Sequence, residues 1–176
     1  MKITDALVLF WRTREIYSNW HPAAFTDDEG RRFANSEQFM MWAKALIMGD
    51  LAMAARMLTV SDPKTLKGMG RQVQNYQDAL WVKHRLAVMV QGCYLKFSQN
   101  PAMKAELLAT GDRILVKASP EDSIWGIGLE ESDPRCLDQR QWKGLNLLGE
   151  ALMVVRALLR EDQPVPQEYL DWKLAA

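Results

Sequence analysis

Hydrophobic residues recur along much of this chain at helical spacing. The longest periodic stretch runs from Gln74 to Gln99, where apolar positions return every three or four residues and mark one buried face. That face carries Leu86, Met89, Val90, Cys93 and Phe97. A second stripe predicts a final long helix whose first residues are Trp142–Gly149 and which runs to about Arg160. Its apolar positions are Leu145, Leu148, Leu152, Val155 and Leu159.

A third helix is predicted over Asn35 to Asp50, between a polar capping residue and a glycine. Asn35 or Ser36 can cap its start, and Gly49 suits the left-handed position just past its end. Shorter helices are predicted at Asp50–Leu58, Lys64–Arg71 and Ala102–Ala109.

Short apolar runs between these helices predict strands. They are Ala6–Trp11, Ala23–Thr26, Arg31–Ala34 and Arg113–Lys117. The second and third are joined by a turn at Asp27–Gly30 and predict a hairpin. We therefore expect one α+β domain over residues 1–176, predominantly helical, with a small antiparallel or mixed β-sheet. Its core spans about residues 10–160, and an extended tail, 161–176, is pinned back by Tyr169 and Trp172.

Composition excludes several classes of protein. Twenty-two basic residues balance twenty-two acidic ones, so bulk attraction to nucleic acid or to anionic membranes is not indicated. Cys93 and Cys136 are too few for a disulfide framework or a metal site, and two histidines argue against a zinc centre. The N-terminal apolar run is too short for a signal peptide or a membrane span. We expect a cytoplasmic protein that binds neither metal nor cofactor.

Two charged residues lie in the largely apolar helix Asn35–Asp50. Glu37 and Lys44 are two helical turns apart, so they share one face and lie roughly 10 Å apart along the axis. This spacing suits two long side chains that reach toward a common ligand. A structural explanation stands beside it, because the helix dipole favours a carboxylate in the first turn and a cation toward the end.

Three segments combine aromatic, amide, carboxylate and glycine residues. They are Ser18–Trp20, the helix with Glu37 and Lys44, and Asp122–Gly128. Such a set suits a flat heterocycle that carries a ribose: an indole such as that of Trp20 or Trp125 stacks on the base, and Asn19 or Asp122 binds ribose hydroxyls. Gly126 and Gly128 would let the backbone approach a ligand closely. Trp125 as core, and Asn19 and Asp122 as turn residues, remain the plain alternatives.

At these positions the chain resembles the NADAR (YbiA-like) family over about residues 10–160. The resemblance rests on Ser18-Asn19 with Pro22, Ser36-Glu37 with Lys44-Ala45, Lys96-Phe97 with Gln99-Asn100, Ser119-Pro120 with Asp122, Ile124–Gly128, Gly144-x-Asn146-x-Leu148-Gly149, and Leu152-Met153 with Arg156. It implies a YbiA-like domain and an N-glycosidase. By position, Glu37, Lys44, Asp122 and Trp125 would be site residues. Lys117 departs from many relatives, which have an acidic residue there.

The resemblance implies a small, nucleotide-like substrate. The activities attributed to the family are cleavage of early pyrimidine-type intermediates of riboflavin biosynthesis and removal of ADP-ribose from modified guanine. Nucleic acid would therefore be a partner only as ADP-ribosylated guanine, and no membrane partner is expected. Two other classes of function remain open: a non-catalytic module that binds ADP-ribose, and an interaction scaffold whose pocket is filled by side chains.

Cleavage of a C1′–N bond passes through an oxocarbenium-like species, so a nearby carboxylate lowers the barrier. Glu37 or Asp122 could serve, while the other handles protons. Lys44 is either a nucleophile that traps C1′ as a Schiff base or an electrostatic clamp on phosphate.

Overall fold

Short segments form five strands in two sheets. The computed structural model describes residues 1–176. The strands are β1 (Lys2–Ile3), β2 (Leu7–Phe10), β3 (Phe25–Thr26), β4 (Arg32–Phe33) and β5 (Ile114–Lys117). In the first sheet β2 lies in the middle, antiparallel to β1 and parallel to β5, whereas β3 and β4 form a hairpin. The predicted strands and the mixed sheet are confirmed, with the hairpin strands shorter than expected.

Six α-helices hold most of the regular secondary structure, and α6 packs against β5 of the first sheet. They are α1 (Ser36–Ile47), α2 (Leu51–Met57), α3 (Pro63–Gly70), α4 (Asp78–Ser98), α5 (Pro101–Ala109) and α6 (Leu147–Arg160). The predominantly helical α+β prediction is therefore confirmed. None of these helices combines the length and the apolar character that crossing a lipid bilayer would need.

Helix α1 lies in the centre of the domain and packs against α2, α3 and α4. Its caps are as predicted: the Asn35 side chain accepts the Gln38 N–H at 2.9 Å, and Gly49 follows with φ of +73°. Every residue of α1 is buried except Lys44 and Leu46. A helix with so little exposed surface leaves its polar side chains few places to go except other parts of the protein or a cavity.

Two helices begin later than the hydrophobic pattern predicts. The pattern predicts α4 from Gln74 and α6 from Trp142, but these helices start at Asp78 and Leu147. In each case an asparagine stands before the helix with a positive φ, 54° at Asn75 and 55° at Asn146, which a right-handed helix cannot include.

The apolar stripes are also slightly shorter than predicted. Leu145 precedes α6 and is exposed, so its assignment to the buried stripe was wrong, and Leu86 is only half-buried. The other predicted positions of both stripes are buried in the core.

The C-terminal tail is folded onto the domain in two short 3₁₀ turns rather than extended as predicted. Trp172 is 1% exposed, and its indole N–H donates to Gln91 Oε1 at 2.9 Å. Its ring meets those of Phe39 and Trp42 edge-on, with centroids 6.0 and 6.2 Å away. The predicted pinning by Trp172 is thus confirmed, and Tyr169 is half-buried against the same core.

Replacing the Trp172 side chain should destabilise the whole domain. Trp172→Ala removes a large buried side chain next to α1 and leaves Gln91 Oε1 without its partner, so we expect a loss of about 3–5 kcal/mol of unfolding free energy. Urea unfolding measures the change. Leu174→Ala is the matched control, because Leu174 lies in the same turn but is 86% exposed. Equal stabilities for the two variants would contradict the docked tail.

Candidate active site

A cavity of about 430 Å³ lies beside α1, next to the carboxyl ends of the two parallel strands. Residues that directly follow β2 line it on one side, and the end of β5 with the loop after it lines another. Its lining includes Trp11, Arg12, Ser18, Asn19, Trp20, Glu37, Met40, Met41, Lys44, Lys67, Gly70, Arg71, Trp81, Lys117, Ser119, Glu121, Asp122 and Trp125. Ligands commonly bind at this edge of parallel strands, outside their carboxyl ends.

Glu37 lies in the first turn of α1 and is 2% exposed. Asn19 holds it twice: the Asn19 carbonyl accepts the Glu37 N–H at 3.0 Å, and the Asn19 side-chain amide donates to Glu37 Oε2. Burial raises the pKa of Glu37 to about 7, although the charges of Lys117 and Lys67 and the Trp20 side chain oppose the rise. This carboxyl group therefore exchanges its proton near neutral pH.

Asp122 faces the same cavity in a different environment. Its Oδ2 binds Lys117 Nζ at 2.7 Å, and its Oδ1 accepts the backbone N–H groups of Ile124 at 3.1 Å and Trp125 at 2.8 Å. Burial pushes the pKa of Asp122 upward, but the Lys117 ammonium and these N–H donors outweigh it and hold the pKa below its ordinary value. Asp122 is therefore ionised at neutral pH.

Lys44 is half-buried on the wall of the cavity, on the same face of α1 as Glu37 and two turns further along. Its ammonium donates to the Gly70 carbonyl at 2.7 Å and lies 4.4 Å from the centre of the Tyr76 ring. Lys44 forms no salt bridge, and burial lowers its pKa from the usual value of a lysine. The structure thus brings Glu37, Lys44 and Asp122 to one cavity.

The other predicted site residues divide into two groups. Asn19, Trp20 and Trp125 line the cavity. Gly126 and Gly128 do not: a Cβ on Gly126 would come within 2.8 Å of the Lys117 carbonyl, and Gly128 has φ of +67° and packs on Lys143. These glycines were expected to approach a ligand. Their small size instead lets the Asp122–Gly128 loop pack against the chain that surrounds it.

The Asn146 side chain holds the end of β5 through two hydrogen bonds. Its side-chain oxygen accepts the Lys117 N–H at 2.9 Å, and its amide donates to the Leu115 carbonyl at 2.9 Å. Asn146, which has a left-handed backbone conformation just before α6, thus links the start of α6 to the edge strand β5. Lys117 is thereby held where it meets Asp122.

Sequence reasoning missed a set of cations at the cavity. Arg12, Lys67 and Arg71 line it, are exposed, and form no salt bridge. Lys67 and Arg71 are four residues apart at the end of α3, so they share one face, and this spacing was a readable signal. Arg12 could be placed only once the parallel pairing of β2 and β5 was known. Together with Lys44 and Lys117, these cations outnumber the carboxylates of Glu37, Glu121 and Asp122.

Comparison with known proteins adds the family. The family model described as "NADAR domain" matches residues 9–160. The chain belongs to the NADAR family. Among similar proteins, the N-glycosidase R617 of Acanthamoeba polyphaga mimivirus is 39% identical over 145 residues, 80% of this chain and 85% of that protein. Protein irg-1 of Caenorhabditis elegans is 38% identical over 168 residues, 87% of this chain and 79% of that protein.

The fold of this NADAR chain also matches a solved structure. The NMR structure of Escherichia coli YbiA, a protein named an N-glycosidase, superposes with a TM-score of 0.74 at 27% identity over 92% of this chain and 89% of that one. The predicted family and YbiA-like fold are confirmed. Because relatives that match over most of their length are named N-glycosidases, the chain is an N-glycosidase in the broad sense.

The raised pKa of Glu37 predicts how the stability of this NADAR chain depends on pH. Because the carboxyl group ionises more easily when unfolded, its contribution to stability is lost as the pH rises from its ordinary pKa of 4.5 toward about 7. We expect Glu37→Gln to be about 2–3 kcal/mol more stable than the unaltered protein at pH 8, with no such gain at pH 4.

Urea unfolding at the two pH values tests this expectation. Glu121→Gln is the control, because Glu121 also lines the cavity but is exposed. A Glu37→Gln variant with the same stability difference at pH 4 and pH 8 would show that the pKa of Glu37 is ordinary.

Proposed function

We propose that this chain hydrolyses the C1′–N glycosidic bond of a phosphorylated ribosyl base. The candidate substrates are a ribosylamino-pyrimidine phosphate of early riboflavin biosynthesis and ADP-ribosylated guanine. The observation that carries the proposal is the pair of carboxyl groups in one cavity, Glu37 with a pKa of about 7 and Asp122 with a lowered pKa. In many active sites, two titratable groups have environments that push their pKa values apart, and the two groups then take different roles in catalysis.

Glu37 is the proton carrier in this proposal. Cleavage leaves an electron pair on the nitrogen of the departing base, and a group with a pKa near 7 can protonate that nitrogen as the bond breaks. The Glu37 carboxylate formed then takes a proton from the water that attacks C1′. One residue thereby acts as acid in the first half of the reaction and as base in the second, and the cycle returns it to its starting state.

Asp122 supplies fixed negative charge. Because Lys117 and two backbone N–H groups keep it ionised, it can stabilise the positive charge that develops at C1′ and the ring oxygen. Its orientation is set before the substrate arrives, so no reorganisation is needed during the reaction.

Two features of the cavity fit a ribosyl phosphate. The Asn19 side-chain oxygen is buried and has no hydrogen-bond partner, which suits a hydroxyl donor of the ribose. The unpaired cations Arg12, Lys67 and Arg71 provide charge for phosphate oxygens at the cavity. Trp20 and Trp125 provide indole faces in the same cavity for the base.

Lys44 has two alternative roles. As a nucleophile, its neutral amine would form a bond to C1′ while the bond to the base breaks and Glu37 protonates the base; ring opening would give an imine, which water hydrolyses to release the sugar and the amine. As a clamp, its ammonium would bind phosphate. Its half-buried position without a carboxylate partner supports the first role, and the neighbouring cations support the second.

Replacing the Glu37 carboxyl group, which carries the proton, should stop turnover without preventing substrate binding. Purified protein is incubated with each candidate substrate, and the released base is detected by mass spectrometry. We expect Glu37→Gln to lower kcat by about 10²–10⁴-fold while substrate still binds by calorimetry. Glu121→Gln should stay active. Binding of both substrates without release by the unaltered protein would instead indicate a non-catalytic binding module.

Borohydride distinguishes the two roles of Lys44. If Lys44 is the nucleophile, borohydride added during turnover reduces the imine and leaves a ribosyl adduct on the Lys44 peptide, and Lys44→Arg shows none. Lys67→Met is the matched control, since it removes another cavity lysine and should still give the adduct. An active protein that yields no adduct on Lys44 would support the phosphate clamp.

A further inference from the structure

A second lysine is buried behind the cavity and does not line it. Lys96 lies in the last turn of α4 and is 1% exposed, which makes it one of the largest fully buried side chains of the protein. Its ammonium group forms no salt bridge. An uncompensated charge in such a place costs several kcal/mol, so the protein must gain something from its presence.

Two backbone carbonyl groups surround the Lys96 ammonium. Lys96 Nζ donates to the Ile16 carbonyl at 2.7 Å and to the Ser18 carbonyl at 2.8 Å, and lies 5.3 Å from the centre of the Phe97 ring. The titratable side chain that acts on it is Cys93, three residues earlier on α4. Burial lowers the pKa of Lys96 to about 8, so it keeps its proton at neutral pH and its N–H groups remain donors.

The segment that Lys96 holds is the one that carries the partners of Glu37. Ser18 is followed by Asn19, whose carbonyl and side chain both bind Glu37, and then by Trp20, which also favours the ionised carboxylate. The Ser18 carbonyl also accepts the His21 N–H at 3.1 Å, so it closes the turn that presents these two residues.

We propose that Lys96 is a positioning residue of the active site: by binding the Ile16 and Ser18 carbonyls, it orients Asn19 and Trp20 and thereby sets the protonation of Glu37. This inference rests on the proposed role of Glu37 as the proton carrier. Lys96 itself touches neither the cavity nor a substrate in it.

The pKa of Glu37 can be measured without a substrate. Glutamate side chains carrying ¹³C in the carboxyl group are titrated by NMR, and the Glu37→Gln variant identifies the Glu37 signal. In Lys96→Met the Asn19 and Trp20 donors lose their anchor, so the neutral acid is favoured and we expect the pKa of Glu37 to rise by about one unit.

Arg156→Met is the matched control for the loss of a buried cation. Arg156 is also buried, and its guanidinium donates to Thr110 Oγ1 at 2.8 Å and to the Arg113 carbonyl at 2.7 Å, away from the cavity lining. We expect both variants to lower the thermal midpoint, but only Lys96→Met to shift the Glu37 titration. An unchanged Glu37 pKa in folded Lys96→Met would overturn the proposal.

Lys96→Gln covers the case in which Lys96→Met does not fold. Its amide can donate to one of the two carbonyl groups, so a smaller upward shift of the Glu37 pKa is expected, and an unshifted value overturns the proposal equally. An Asn19→Ala background adds a second test, because Lys96→Gln should then have less effect on the Glu37 pKa than in the unaltered protein. A protein that releases no base but shows these shifts would refute the proposed function alone.

Discussion

Burial of the Glu37 carboxyl group is the constraint on which the site depends. A carboxylate removed from water at the start of α1 raises the free energy of the folded protein unless donors and cations surround it. The structure supplies them from distant parts of the chain: Asn19 from the turn after β2, Lys67 from α3 and Lys117 from the end of β5. These groups only partly offset the burial, so Glu37 has a pKa of about 7. The incomplete compensation is what leaves a titratable proton in the cavity.

The environment of Asp122 shows the opposite balance. Both of its oxygens are occupied, one by Lys117 and the other by two backbone N–H groups, so the charged form prevails despite burial. The same lysine influences both carboxyl groups, directly at Asp122 and through space at Glu37. An acid at position 117 would remove this cation and add a charge of the opposite sign. Lys117 therefore sets the charge balance of both carboxyl groups in this site.

Local signals in the sequence were sufficient for most of the fold. The caps of α1, the glycine after it and the apolar stripes predicted the helices because each depends on residues close together in the chain. The signals failed where conformation depends on distant partners. Asn146 takes a left-handed conformation because it bridges to Leu115 and Lys117, so α6 starts later than its stripe suggests. Arg12, which lines the cavity, was missed because the parallel pairing of β2 with β5 joins segments about a hundred residues apart.

The sequence predicted which residues belong to the site better than it predicted what those residues contact. Glu37 and Lys44 were singled out by charge in an apolar helix, and both do line the cavity. Gly126 was predicted to let the backbone approach a ligand, but its small size accommodates the Lys117 carbonyl instead. Two nearby glycines indicate that another group comes close to the backbone. The sequence does not specify whether that group is the substrate or the protein's own backbone.

Three of the four lysines near the site, Lys44, Lys96 and Lys117, occupy environments that suit different chemistry. The ammonium of Lys117 is held by the Asp122 carboxylate, and that of Lys96 is enclosed by two carbonyl groups away from the cavity. The Lys117 amine is thus occupied by a carboxylate, and Lys96 does not line the cavity, so neither is positioned to reach a sugar carbon. Lys44 has one carbonyl partner, no carboxylate partner, and a half-buried position on the cavity wall that lowers its pKa. Of these three environments, the one around Lys44 is the one that would permit a covalent bond between an amine and the substrate.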